Sequence, residues 1–159
     1  MATVYIWDND LGHASIHLIG FNLSDPRTHF KGQECEFDMY FSFWPHNTLK
    51  ANELIKDVEC YLPSDINEDC DLCGEEPRHK LNIDFPMEKR LSPYDLYAMK
   101  DKLEKMAYNL AFKNCCGIVC ECLTFLSGQK ISALTPSHVY TETLRLQKKF
   151  GVPSILKEY

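Results

Sequence analysis

The sequence predicts an α+β fold, in which a small antiparallel sheet from the N-terminal half packs on helices from the C-terminal half. β-Branched and aromatic residues alternate with polar ones before Pro45, whereas apolar residues recur at helical spacing after Ser92. The apolar fraction of 45% over 159 residues is enough for one hydrophobic core. We therefore expect a single domain spanning residues 1–159, with an irregular excursion at about residues 57–90.

Three strands are predicted before Pro45. The first, TVYIW, is apolar, and the next two, GHASIHLIG and EFDMYFSFWP, alternate in polarity. Their apolar rows are Ala14, Ile16 and Leu18, and Met39, Phe41 and Phe43. Their polar rows are His13, Ser15 and His17, and Asp38, Tyr40, Ser42 and Trp44. If the two strands pair as a hairpin across the polar connection at about residues 21–34, the polar rows lie side by side on one surface.

Three helices are predicted in the second half of the chain. The first opens with Ser92 as N-cap, Pro93 at the first helical position and Asp95 closing a capping box. Its apolar stripe consists of Leu96, Met99, Leu103, Met106 and Leu110. The second helix runs from an Asn114 cap to Gly128 and is buried on most sides, and the third runs from Thr135-Pro136 to Gly151.

Charge and hydropathy exclude several partners. The net charge of −6 offers no clustered basic surface for nucleic acid or an anionic membrane. No apolar run reaches membrane-spanning length, and the start MATVYIWDND does not look like a signal peptide. Eight cysteines in a chain of this length, with adjacent Cys115 and Cys116 on a helix, favour a reducing compartment over a disulfide scaffold.

The Asn114-Cys115 pair at the head of a buried helix predicts a reactive thiol. Helix N-terminal amides stabilise a thiolate, and a neutral histidine is the usual proton acceptor for such a thiol. His13 and His17, on the polar face of an early strand, are the candidates for that base. A third polar group normally orients the imidazole, and the neighbouring strand region offers Ser42, Asp38, Tyr40 and His46.

GHASIHL followed much later by NCCGIVCECL resembles the circularly permuted branch of papain-like cysteine hydrolases, related to NlpC-type peptidases and lecithin retinol acyltransferase. The pattern is also similar to uncharacterised bacterial effector and toxin domains. The resemblance covers residues 4–45 and 109–136. It implies a papain-like fold and a cysteine-dependent hydrolase or acyl transferase that forms a thioacyl-enzyme on an amide or ester bond.

The resemblance assigns roles residue by residue. Cys115, directly after Asn114, is the nucleophile, and His13, directly after Gly12, is the base. Ser42 takes the third position, although relatives often carry a histidine, asparagine or acid there, and His17 is the alternative base. A protein or peptide substrate is favoured over lipid, and no cofactor is expected. The chain is expected in the cytoplasm or delivered into a host cell by a specialised secretion system.

Six of the seven remaining cysteines fall into two groups. We assign Cys116, Cys120 and Cys122 to packing, because free cysteine behaves as a small apolar residue. In the excursion, Cys60, Cys70, Cys73 and His79 form a loosely spaced set that would bind zinc if it came together, although a solvated loop is the simpler interpretation. A rival function is a non-catalytic effector-type binding module on the same fold, which recognises its partner through residues 57–90.

Overall fold

The computed structural model describes residues 1–8, 12–22, 35–46, 57–86, 93–109 and 114–153. Its strands are β1 (Ala2–Trp7), β2 (His13–Asn22), β3 (Cys35–Phe41), β4 (Trp44–Pro45), β5 (Cys60–Tyr61) and β6 (His79–Ile83). Its helices are α1 (Ile66–Cys73), α2 (Pro93–Glu104), α3 (Cys115–Ser127) and α4 (Pro136–Phe150). The predicted α+β class is confirmed.

The main sheet has the order β3-β2-β1-β6, and its neighbouring strands are antiparallel. β2 and β3 pair with His17 opposite Tyr40, so the two predicted polar rows do share one surface. The apolar row of β2 is fully buried and faces the core, where α3 packs on β2. Residues 23–34 of the predicted connection lie outside the described residues.

The third predicted strand is shorter than its sequence pattern. β3 ends at Phe41, and the chain then leaves the sheet, so that Trp44 and Pro45 pair with Tyr61 and Cys60 in a separate two-stranded sheet. The alternation continues through this change, because Phe43 is fully buried while Ser42 stays on the polar side. This change of sheet brings Ser42 and Trp44 over the end of β2 where His13 lies.

The 57–90 segment is more regular than predicted. It contains β5, α1 and β6, and β6 extends the main sheet beside β1. α1 begins after Asp65, whose carboxylate accepts the amides of Asn67 and Glu68, and it ends at Gly74 with a left-handed φ of 73°. The sequence of this segment, although rich in turn formers, therefore does contain a helix cap and a C-terminal glycine.

The helices of the second half largely match their predictions. α3 has Asn114 and Gly128 as its caps, and α4 has Thr135 and Gly151. α2 begins at Pro93 as predicted, and Leu103 is buried, but Ser92 and Leu110 lie outside the described residues.

The expectation that α2 continues towards Leu110 is wrong, because the helix ends at Glu104. Tyr108 instead forms an isolated antiparallel bridge with Val58, using both backbone hydrogen bonds. Its ring packs against Phe43, with the ring centres 5.2 Å apart. Among the described residues, no helix combines the length and apolar character needed to cross a membrane.

Candidate active site

Cys115 is the first residue of α3. Asn114 precedes it in an extended conformation, and the Asn114 side chain accepts the amide of Gly117 at 3.1 Å, which fixes the start of the helix. The first-turn amides and the helix dipole favour negative charge at this position. Cys115 is only 6% exposed, so any charge on its sulfur needs partners within the protein.

His13, the first residue of β2, lies close to Cys115. It follows Gly12, whose φ of 56° is readily adopted only by glycine. The imidazole is 3% exposed and lies between two indoles, stacked on Trp44 at 4.2 Å and tilted against Trp7 at 5.3 Å between ring centres. These rings restrict the orientation of the imidazole, which interacts with the Cys115 side chain.

The Nε2 nitrogen of His13 faces two oxygen atoms. It lies 3.0 Å from Ser42 Oγ and 3.3 Å from Asp69 Oδ1, and the Ser42 hydroxyl donates to the same Asp69 oxygen at 2.7 Å. Because the Ser42 proton is directed at the carboxylate, Nε2–H must be the donor toward Ser42 and Asp69. Nδ1 is then the ring nitrogen left for the Cys115 sulfur.

Asp69, on α1, is the site residue that the sequence interpretation missed. It is fully buried, and besides His13 it accepts hydrogen bonds from Ser42, from Trp44 Nε1 at 2.8 Å and from the Tyr40 hydroxyl. A buried carboxylate with four donors is a well-compensated anion. Starting from Cys115, the order of contacts is therefore His13, then Ser42 and Asp69 together.

The electrostatics favour a thiolate–imidazolium pair. The hydrogen bond from Cys116 is the largest effect on the pKa of Cys115, and it lowers that pKa. Burial raises the pKa, whereas the charge of His13 and the Ala14 amide lower it further. As a result, the pKa of Cys115 falls well below 9.0. Burial alone would lower the pKa of His13, yet the Cys115 charge and the hydrogen bond with Asp69 raise it to about 9. Burial would raise the pKa of Asp69, and its contacts with His13, Tyr40 and Ser42 lower it overall.

The other candidates for base or orienting residue lie elsewhere. His17 is paired with Asp38, and the carboxylate of Asp38 is 69% exposed. Tyr40 donates its hydroxyl to Asp69, and the same hydroxyl forms a hydrogen bond with Ser15. His46 is exposed, and its backbone amide pairs with Glu59.

The possible zinc ligands do not come together. Within the described part of the chain, no three His, Cys, Asp or Glu side chains are grouped so that they could hold a metal ion. Cys60 contacts the Leu103 carbonyl, whereas His79 stacks on Tyr140. Cys70 and Cys73 lie on α1, where burial and nearby acids raise their pKa values to about 11 and about 12. Both sulfurs therefore keep their protons at neutral pH.

The three cysteines assigned to packing are all buried on α3, at 1% exposure for Cys116, 4% for Cys120 and 0% for Cys122. Cys116 has a second contact, because its sulfur lies 3.9 Å from that of Cys115. No protein-family model, curated protein or solved structure matches this chain.

Proposed function

We propose that the protein is a cysteine hydrolase or acyl transferase of papain-like type that acts on an amide or ester bond of a protein or peptide. The observation that supports this most strongly is the contact series from Cys115 through His13 to Ser42 and Asp69. It supplies a nucleophile at a helix start, a base in contact with it and a buried anion that orients the base.

In the proposed reaction, the Cys115 thiolate attacks the substrate carbonyl carbon. A C–S bond forms, and the carbonyl electron pair moves to oxygen; the backbone amides of Cys115 and Cys116 are the first-turn donors suited to that oxyanion, since Asn114 accepts the amide of Gly117. Collapse breaks the bond to the leaving group, which takes a proton from the His13 imidazolium. The products are a thioester on Cys115 and a free amine or alcohol.

The second half-reaction restores the enzyme. Neutral His13 accepts a proton from water or another acceptor, whose oxygen or nitrogen attacks the thioester carbonyl. The C–S bond then breaks, and sulfur leaves as the thiolate beside a reprotonated imidazole. Asp69 keeps its charge throughout and holds the Nε2–H of His13, so that Nδ1 exchanges the proton.

The sequence resemblance also supports a biological role for the protein. A papain-like domain with this permuted order is proposed to act as a bacterial effector, with peptidase, amidase or deamidase activity inside the cell or inside a host. The acidic net charge of −6 favours a basic or neutral protein substrate.

A non-catalytic binding module is the second candidate, and the closed site favours it. Cys115 and His13 expose only 6% and 3% of their surface, so a substrate carbonyl has little access to sulfur in this conformation. A binder would use the same fold without turnover and would form no covalent intermediate.

Acyl-enzyme trapping separates the two functions. Incubation with p-nitrophenyl acetate, followed by peptide mass mapping, is expected to place an acetyl group on Cys115, and limiting iodoacetamide is expected to label Cys115 before Cys60 or Cys70. Cys115→Ala should abolish the adduct, whereas Cys120→Ala, a matched change on the same buried helix, should not. Labelling of Cys115 no faster than that of Cys60 would refute the hydrolase proposal.

A further inference from the structure

The two adjacent cysteines at the start of α3 are in side-chain contact. Their sulfur atoms lie 3.9 Å apart, and both residues are buried, Cys115 at 6% and Cys116 at 1% exposure. A thiolate has no proton to donate, so a charged Cys115 accepts and the Cys116 S–H donates. Hydrogen bonds to an ionised group are stronger than those between neutral groups.

The groups around the Cys115 sulfur come from several elements. His13 of β2 faces it with an imidazole, and the Ala14 backbone amide donates to it. Cys73 of α1 and Tyr108, beyond α2, also interact with it; burial raises the pKa of Cys73 to about 12 and keeps Tyr108 protonated. Neither therefore brings charge at neutral pH.

The pair is asymmetric. The hydrogen bond with Cys115, burial and the negative charge of Cys115 raise the pKa of Cys116, with a smaller contribution from Cys120. Only one of the two sulfurs therefore ionises, and the other stays available as a donor. In the buried start of α3, a donor that carries no charge of its own compensates the thiolate without competing with His13 for the role of counter-ion.

We propose that Cys116 is a positioning residue of the active site, which holds Cys115 in the thiolate form by donating its S–H to the Cys115 sulfur. The inference rests on the proposed function and extends it, since it gives the Cys-Cys doublet a chemical reason. It also revises the assignment of Cys116 to packing alone.

The test is a titration of the thiolate ultraviolet absorbance from acid to neutral pH, which requires no access of a reagent to the buried site. The variants are Cys116→Ala, Cys116→Ser and Cys122→Ala, with Cys115→Ala as the blank. Cys116→Ala is expected to raise the apparent pKa of Cys115 by about one unit, a tenfold loss of thiolate on the rising limb. Cys116→Ser retains an O–H donor, so the apparent pKa of Cys115 in this variant should lie between the values of Cys116→Ala and the wild type.

Cys122→Ala removes an equally buried sulfur about two turns further along the same helix, and it should leave the titration of Cys115 unchanged. If the pKa of Cys115 in both Cys116 variants equals that of the wild type, the proposed role of Cys116 is refuted, whereas the Cys115–His13 pair is not. If Cys116→Ala does not fold, Cys116→Val decides instead, because it removes the donor and keeps an apolar side chain, and a packing role then predicts no shift in the pKa of Cys115. If the wild type and Cys115→Ala instead show the same ultraviolet absorbance, Cys115 forms no thiolate. That result would refute the proposed active site and, with it, the role of Cys116.

Discussion

Replacement of Asp69 by asparagine should disrupt the candidate site more than any other isosteric change to it. The carboxylate is fully buried, lies 3.3 Å from His13 Nε2, and accepts from Ser42, Trp44 and Tyr40. Asparagine keeps the shape and one acceptor oxygen but removes the negative charge. His13 then has Cys115 as its remaining anionic partner.

The size of the effect follows from the geometry. Two unit charges 3.3 Å apart interact by about 5 kcal/mol at an effective dielectric constant near 20. Desolvation offsets much of this, and hydrogen bonds to charged groups contribute about 1.5–3 kcal/mol net. Since one pKa unit is about 1.4 kcal/mol, Asp69→Asn should lower the pKa of His13 by about one to two units. That pKa is about 9 in the wild type.

The assay is an NMR titration of the histidine ring protons, with alkylation of Cys115 followed in parallel. Asp38→Asn is the matched control, because it neutralises the partner of His17 on the same sheet, where the carboxylate is 69% exposed. Such an exposed pair contributes about 0–1 kcal/mol, so the control should leave His13 unchanged. A His13 pKa that stays near 9 in folded Asp69→Asn would refute the assignment of Asp69 as orienting residue.

Three further outcomes are expected. Asn114→Ala should cost about 1 kcal/mol in unfolding free energy and slow the alkylation of Cys115, whereas loss of the α4 cap in Thr135→Ala should cost a similar amount without slowing it; equal alkylation rates of Cys115 in the two variants would contradict this. The charge of Cys115 and then the contact with Asp69 raise the pKa of His13 from 6.5 to about 9, so the stabilisation from these contacts is present in full below pH 6.5 and is lost as the pH rises through 9. The Tm difference between wild type and Asp69→Asn should therefore shrink as the pH rises from 6.5 to 9. A constant Tm difference would contradict the pairing of charged His13 with Asp69. Ser42→Ala leaves Asp69 within 3.3 Å of Nε2 and should lower the His13 pKa less than Asp69→Asn does, as NMR can measure; the reverse order would make Ser42 the main orienting group.

The sequence was informative where local rules decide the structure. Alternation predicted that His13 and Ser42 lie on one face, because side chains of a strand point to opposite sides with period two, and the two side chains do meet at 3.0 Å. The caps of α3 could be predicted since Asn114 and Gly128 each satisfy helix-end groups locally. The position of Cys115 at the start of α3 could be predicted from the Asn114 cap.

What was missed depends on long-range contacts. Asp69 lies in a run of acids, and nothing in that run distinguishes a buried carboxylate from a solvated one; its donors Tyr40 and Ser42 lie 29 and 27 residues earlier in the chain. Asp65 and Gly74 mark the ends of α1, but the helix carries few apolar residues, so its periodicity was weak. The end of α2 at Glu104 is likewise set by a distant partner, since Tyr108 pairs with Val58.

The most direct test is a pH titration of the Cys115 β-carbon in cysteine-labelled protein, with Cys115→Ala used to assign the resonance. The β-carbon shift reports the charge on sulfur without any reagent. We predict the thiolate shift at neutral pH, where His13 carries its proton. A β-carbon that keeps the neutral thiol shift up to pH 9 would contradict the buried thiolate–imidazolium pair and the enzyme proposed from it.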